Sequence, residues 1–412
     1  MLRNRLLNIL GLSGLSKEER GVAYVSLVAF VPLIYKLIVP FFVILGIGKY
    51  TFVINGTILT IGLVLARKLF INNIKFVDVV TYFFIATFLL IASFLYPKTS
   101  DFVYDNYVPF IFQVVPFYFL GLSLITKNRE QILLFVARAG IVVQFFWQLC
   151  FLIGIVAKEG PAYDDSLGEQ MSIAYSLLFP IYILFDELVK RKSIINIVFL
   201  FVGISLLLFM GTRGPIVILA VFLIGYFIII NRFEHHNLVK KITIISIFLL
   251  LYVFLVPICL FLIPLVSSLG FSTRVFNSIV EQTMVNMEAS SSRDDFYDRV
   301  FNAICNNDGF GYGWGGDRLF TPDGAYAHNF ELEILCQFGF VLGGFILLVI
   351  SLLLIKAFSR CVLQQDRNFL FIMFCTGFLT LQFSDSYIKS PLFFIFLGTL
   401  IGFKRKLYRK NN

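Results

Sequence analysis

Charge is scarce in this chain. Asp, Glu, Lys and Arg make up 14% of its 412 residues, against about a quarter in ordinary soluble domains, and so little polar surface excludes a water-soluble globule of this size. Histidine is scarcer still, with three in all, and there are six cysteines. Cys150, Cys259, Cys336, Cys361 and Cys375 lie in or beside apolar runs and only Cys305 falls in a polar stretch, which excludes a disulfide framework. The His235-His236 pair has no cysteine near it and His328 has no histidine partner. Zinc-ligand spacing is therefore missing, and neither a metal nor another cofactor is expected. No internal repeat and no long low-complexity linker divides off a soluble domain.

What the chain has instead is apolar length. Hydrophobic residues reach 58% and the mean hydropathy is +0.87, and runs of about 20 apolar residues are what a bilayer core of roughly 30 Å requires. The fold class predicted is all-α, a polytopic transmembrane bundle of about twelve spans. They are expected near 22–47, 51–66, 77–96, 107–125, 131–157, 171–189, 193–210, 215–230, 242–266, 330–355, 368–384 and 390–403. Three regions follow: spans one to nine in 1–266, one large extracytoplasmic loop in 267–329, and the last three spans with a basic tail in 330–412. The first long apolar run begins only after Lys17-Glu18-Glu19-Arg20 and is too long for a signal core, so no cleavable signal is expected. Residues 2–15 suit either a short interfacial helix or a frayed tail.

Orientation is read from the cations, which short loops retain on the cytoplasmic side. With both termini inside, the inward segments hold 23 of the 34 Lys and Arg residues, including Lys190-Arg191-Lys192 and the tail Lys404, Arg405, Lys406, Arg409 and Lys410. The net charge of +9 then reports orientation and contact with anionic membrane lipids, not nucleic acid. Nine cations face outward, and five of them, Arg213, Arg274, Arg293, Arg299 and Arg318, sit in 267–329 and in the Gly211-Thr212-Arg213-Gly214-Pro215 turn expected on the same face. All five are arginine, whose planar guanidinium grips phosphate bidentately and never loses its charge. The competing reading is ion pairing, because the loop also holds eight acids. Arg213 is the strongest candidate, since its glycine neighbours leave room for a lipid phosphate and Pro215 suits the first turn of a helix; snorkelling to headgroups is the alternative. Arg318 is expected to tolerate alanine better than Arg213 or Arg293.

His328 stands immediately before an apolar helical run, with Asn329 and Glu333 at i and i+4 and Glu331 three residues beyond the histidine. An imidazole that titrates near pH 6.5 is the natural general base at an extracytoplasmic surface, and Glu331 is placed to fix its tautomer. A helix-start histidine bonded to backbone is the alternative. Gly309, Gly311, Gly313, Gly315 and Gly316 suggest a close-packed turn near a ligand, a weak signal by itself.

Taken together, Thr212-Arg213-Gly214 at a span boundary, Arg293 ahead of an aromatic position, Gly309-Phe310-Gly311-Tyr312-Gly313, and His328-Asn329-x-x-Leu332-Glu333-x-Leu335 followed by Gly339 resemble the bacterial O-antigen polymerase and ligase family. The resemblance covers roughly residues 205–345. Thr212 stands where the family commonly has serine, which keeps the hydroxyl. The resemblance implies a metal-independent, GT-C-like membrane glycosyltransferase acting on undecaprenyl-diphosphate-linked oligosaccharides, both donor and acceptor, on the outer face of the bacterial cytoplasmic (inner) membrane, with a chain-length regulator as a candidate partner.

Sugar transfer from a lipid diphosphate needs a base for the acceptor hydroxyl and cations for the departing anion. His328 with Glu331 is the expected catalytic pair, and Arg213, Arg293 and Arg274 the expected diphosphate set. Thr212, Asn329, Glu333, Gly311 and Gly313 are expected to support them. A polymerase is the primary reading. A ligase delivering glycan to lipid A core or another acceptor shares the same needs, and a lipid-linked oligosaccharide flippase is the alternative of another class, for which the intramembrane Lys36 and Arg138 argue. The 50 phenylalanines suit a polyprenyl groove, or simply lipid and core packing.

Overall fold

The computed structural model describes residues 14–31, 51–152, 161–210, 212–230, 255–268, 277, 280, 292–321, 324, 326–361, 363–383 and 385–410. Among them every regular element is helical. The α-helices are α1 (Lys17–Phe30), α2 (Thr51–Asn73), α3 (Phe76–Leu95), α4 (Ser100–Pro109), α5 (Phe117–Ser123), α6 (Arg129–Leu152), α7 (Pro161–Lys190), α8 (Ile194–Phe209), α9 (Arg213–Ile230), α10 (Leu255–Ser268), α11 (Ser292–Asn306), α12 (Phe330–Arg360), α13 (Gln364–Gly377) and α14 (Pro391–Lys410). Among the described residues, three stretches are long and apolar enough to cross a bilayer, Pro97–Ser123, Arg129–Leu149 and Phe330–Arg360, and a fourth if Leu59–Asn73 and Phe76–Ile91, bent by 103°, form one span. Lys36 and Arg274 lie outside the described residues.

The described helices overlap the apolar runs, and two of the differences bear on the site. The run at 107–125 is not one regular helix: α4 passes into a π-helical turn at Phe110–Val114 before α5, because Pro109 and Pro116 bring no N–H to the ladder. The second difference is α11, a helix inside the stretch expected to be loop. It carries too many charges to register as a span, yet Val300 and Ile304 on one face are fully buried against Ala327 and Cys336.

The chain divides into two compact units, Met1–Leu65 with Glu130–Ala289 and Ala66–Arg129 with Ser290–Asn412. In the first, α1 opens on a capping box in which Ser16 Oγ accepts from Glu19 N at 3.2 Å and Glu19 Oε2 from Ser16 N at 2.9 Å. Phe30 stacks on Phe179 of α7 with ring centres 3.7 Å apart, and Tyr182 stacks on Phe222 of α9 at 3.9 Å. Arg138 is buried, and its Nε and Nη2 donate to Asn196 Oδ1 at 3.2 and 2.7 Å. Lys190 bridges Glu130 at 2.6 Å and Asp186 at 2.7 Å, and Tyr226 donates to Asp186 at 2.7 Å.

In the second unit α5 and α14 pack backbone to backbone. A Cβ at Gly398 would meet Tyr118 O at 2.0 Å, and one at Gly121 would meet Ile395 O at 2.1 Å, so small residues set the helix spacing, as is common where lipid supplies no hydrophobic drive. The tail end of α14 carries a polar knot: Arg405 grips Asp78 bidentately at 2.6 and 2.8 Å, and Tyr118 donates to the same carboxylate at 3.0 Å. Arg129 pairs with Asp366 at 2.6 Å and lies over the rings of Phe369 and Phe403. From Pro391 to Arg405 α14 rises roughly 21 Å. The residues just before its start belong to a second polar knot, which holds the candidate site.

Candidate functional site

The site is built on a break in α12. At Gly339 the backbone turns to φ 77°, ψ 174°, which a side chain resists, and the carbonyls one turn earlier lose their helical partners. The glycine-rich stretch fills the gap. Tyr312 N donates to Cys336 O at 2.8 Å, Gly313 N to Gln337 O at 3.0 Å, and the freed Phe340 N donates to Gly309 O at 2.8 Å. The approach is so close that a Cβ at Gly311 would meet Gln337 O at 2.3 Å. Gly311 and Gly313, expected near a ligand, therefore lie against the broken helix and the Tyr96 ring. Two pieces of the sequence motif, 309–313 and Gly339, are one structural device.

Docking this stretch buries a charged network. Asp317, with no exposed surface, accepts from Arg318 Nη1 at 2.8 Å, Gln337 Nε2 at 2.9 Å and Ala327 N at 3.1 Å. Arg318 also reaches Glu333 Oε1 at 3.4 and 3.5 Å and Ser386 Oγ at 3.0 Å, and its guanidinium lies 4.4 Å over the Phe102 ring. Ser386 in turn donates to Glu333, and Tyr387 donates to Gln337 Oε1. Trp314, Phe110 and Phe394 wall the network from the apolar side. Burial holds the Tyr387 hydroxyl far above its usual range, so it serves as a neutral donor. Burial also raises the neighbouring Asp385 carboxyl from 3.8 to about 6, although Ser386 N donates to it at 2.8 Å.

His328 stands at the edge of this network with a left-handed backbone, φ 51°, uncommon for a residue other than glycine. Its surroundings fix that geometry. Asp317 holds the preceding amide, Tyr297 of α11 donates to His328 O at 3.3 Å, and the Tyr326 ring packs 4.1 Å from the imidazole. Asn329, expected to support His328, caps α12 by accepting from Leu332 N at 2.9 Å. Glu331 accepts from Gln382 Nε2 at 2.9 Å, and Glu333, expected to support His328, is tied to Arg318 and Ser386.

The arginines part company. Arg318, expected from the sequence to tolerate alanine better than Arg213 or Arg293, is a largely buried cation with structural partners, its side chain 9% exposed. Arg299 is exposed on α11. Arg293 lies in the first turn of α11 and Arg213 begins α9 in the other unit; both side chains fall outside the described part of the structure. The Thr212 hydroxyl is buried with no hydrogen-bond partner among the described residues. Gly214 is required where it stands, because a Cβ there would meet Tyr175 Oη at 2.0 Å. Sequence reasoning missed Asp317, Gln337, Ser386 and Tyr387. The polar i, i+4 pair Glu333 and Gln337 at the head of an apolar helix was the available signal.

No protein-family model, no curated protein and no solved structure matches this chain.

Proposed function

We propose that the protein is a metal-independent membrane glycosyltransferase of the polysaccharide-polymerase type, which moves a growing glycan from undecaprenyl diphosphate onto a lipid-linked repeat unit. His328 takes the proton of the acceptor hydroxyl as that oxygen attacks the anomeric carbon; the bond from that carbon to the diphosphate oxygen breaks, and the diphosphate leaves as an anion. Arg293 and Arg213 are assigned to that anion on the chemistry of guanidinium and phosphate, with Arg274 as a further candidate. The observation that carries the reading is the left-handed backbone of His328, braced from both sides. A strained polar residue held by its surroundings at the edge of a polar loop marks a functional position.

The same reading places twelve spans in a bacterial cytoplasmic membrane, with both termini inside and residues 267–329 outside. Contacts within the second unit support it. The charged side chains described there meet segments that the cation asymmetry assigns to the same side: Arg405 with Asp78 and Arg129 with Asp366 inside, Arg318 with Phe102, Glu333 and Ser386 outside. The membrane setting is supported along α12, where Val341, Phe345 and Leu352 are more than half exposed, as lipid-facing residues are.

Two measurements test this. Cys305 is exposed, so an impermeant maleimide applied to intact cells should label it; labelling only after the membrane is opened would place the loop inside and end the assignment. Lipid-linked glycans in a deletion strain should accumulate as single repeat units on the outer leaflet. Long lipid-linked chains would identify a ligase instead, and units trapped on the inner leaflet a flippase.

A further inference from the structure

Asp317 has no part in the chemistry above, yet it is wholly buried and holds the peptide that leads into His328. Its Oδ2 accepts the Ala327 amide at 3.1 Å, and its Oδ1 accepts from Arg318 at 2.8 Å and Gln337 at 2.9 Å. Both of those donors are fixed in turn, Arg318 by the Phe102 ring and Ser386, Gln337 by the Tyr387 hydroxyl. A carboxylate held at both oxygens cannot turn, so the Ala327 amide is pinned to α12 through Gln337. Asp317 is thereby tied to Ala327, the residue immediately before His328 at φ 51°. Beyond His328 the Asn329 cap fixes the chain again. With both flanks fixed, the backbone of the histidine has little freedom to relax from its left-handed conformation.

We propose that Asp317 is a positioning residue for His328: its carboxylate clamps the Ala327 amide against Arg318 and Gln337, and so presents the imidazole to the acceptor hydroxyl. The proposal rests on the reading of His328 as the base. The requirement at position 317 is strict. All three partners donate, so each oxygen must accept. Asparagine would turn an amino group toward a donor whichever way its amide is set, and glutamate would add a methylene to a site without exposed surface.

The test uses the full-length protein in nanodiscs, carrying His235→Gln and His236→Gln so that His328 is the one remaining imidazole. Two readouts are taken: steady-state transfer from lipid-linked repeat units, and the rate at which diethyl pyrocarbonate modifies His328. Asp317→Asn should lower kcat about 100-fold, the cost of a misplaced catalytic group, with KM changed by less than about twofold, and should change the modification rate several-fold. Arg405→Ala, which breaks a charged pair at the other end of the unit, is the stability control: it should lower Tm while kcat and modification rate stay at the wild-type values. The proposal is overturned if Asp317→Asn keeps wild-type kcat and modification rate. It is overturned equally if Arg405→Ala loses kcat and changes the modification rate as Asp317→Asn does at the same fall in Tm, since Asp317 would then serve the fold and not the histidine. Failure of the base assignment looks different: wild-type protein or His328→Gln would show no difference in transfer, while the modification rate would still respond to Asp317→Asn.

Discussion

The second unit holds two polar knots at opposite ends of α14, built from the same residue types and put to different ends. At the tail, Arg405 meets Asp78 and Arg129 meets Asp366, one cation to one carboxylate, with Arg405 still partly exposed. Near the start of α14, Asp317 and Glu333 share the single guanidinium of Arg318; both carboxyl groups are buried and the arginine side chain is 9% exposed. Balanced pairs of the first kind latch helix ends. The second kind has one acid too many for its cation, spans segments as far apart in sequence as Phe102 and Ser386, and holds a histidine in a strained conformation beside it. The difference teaches that arginine alone does not mark a ligand site in this chain: the number and burial of its acidic partners separate a latch from a scaffold.

The largest break in that comparison should come from Arg318→Ala, which strands two buried carboxyl groups and should cost about 3–5 kcal/mol, read as a large fall in Tm in nanodiscs and little folded protein. A small fall would mean that water reaches the network. Gly339→Ala comes next. Its Cβ would meet Gly309 O at 2.6 Å with φ at 77°, a strain worth about 1–3 kcal/mol, and transfer should fall with stability because the loop that ends in His328 is docked there. On the latch side, Arg405→Ala should cost about 2 kcal/mol for the lost charged hydrogen bonds and leave kcat unchanged in the protein that remains folded. An equal loss of kcat would show the two ends to be coupled.

The smallest effect is a pH dependence. Asp385 titrates near 6 in the folded protein because burial disfavours its charge. A carboxyl raised in this way favours the fold fully below its unfolded value of 3.8, and that contribution is lost as the pH rises through 6. Asp385→Asn cannot ionise, so its Tm should gain on the wild type between about pH 4 and pH 7. A difference that stays flat across this window would show Asp385 to be solvated.

Much of the fold was legible because membrane helices announce themselves by apolar length. α8, α9 and α12 begin within two residues of their predicted positions. The cap at Asn329 was not named from the sequence, although N-cap chemistry reaches only three residues ahead and the signal was local. α11 was not, because its pattern is amphipathic and polar, and a search for lipid-length runs passes over it. The importance of Arg318 was hidden for a topological reason. Its partners lie 15 and 68 residues away, at Glu333 and Ser386, and no local pattern distinguishes a buried arginine in a glycine-rich loop from an exposed one. The motif glycines were seen as a group, but their purpose depends on the break at Gly339, which becomes visible only when 309–313 is laid along α12.

The assignment of His328 as the base is tested most directly by glycan transfer in a single turnover, comparing wild-type protein with His328→Gln in nanodiscs, with lipid-linked repeat units and no added metal or nucleotide. Glutamine still hydrogen-bonds but cannot take a proton at neutral pH. Transfer is expected to fall about 10²- to 10⁴-fold with donor binding unchanged. A glutamine variant that transfers at the wild-type rate would contradict the assignment and move the search for a base to an outer-face carboxylate such as Glu331.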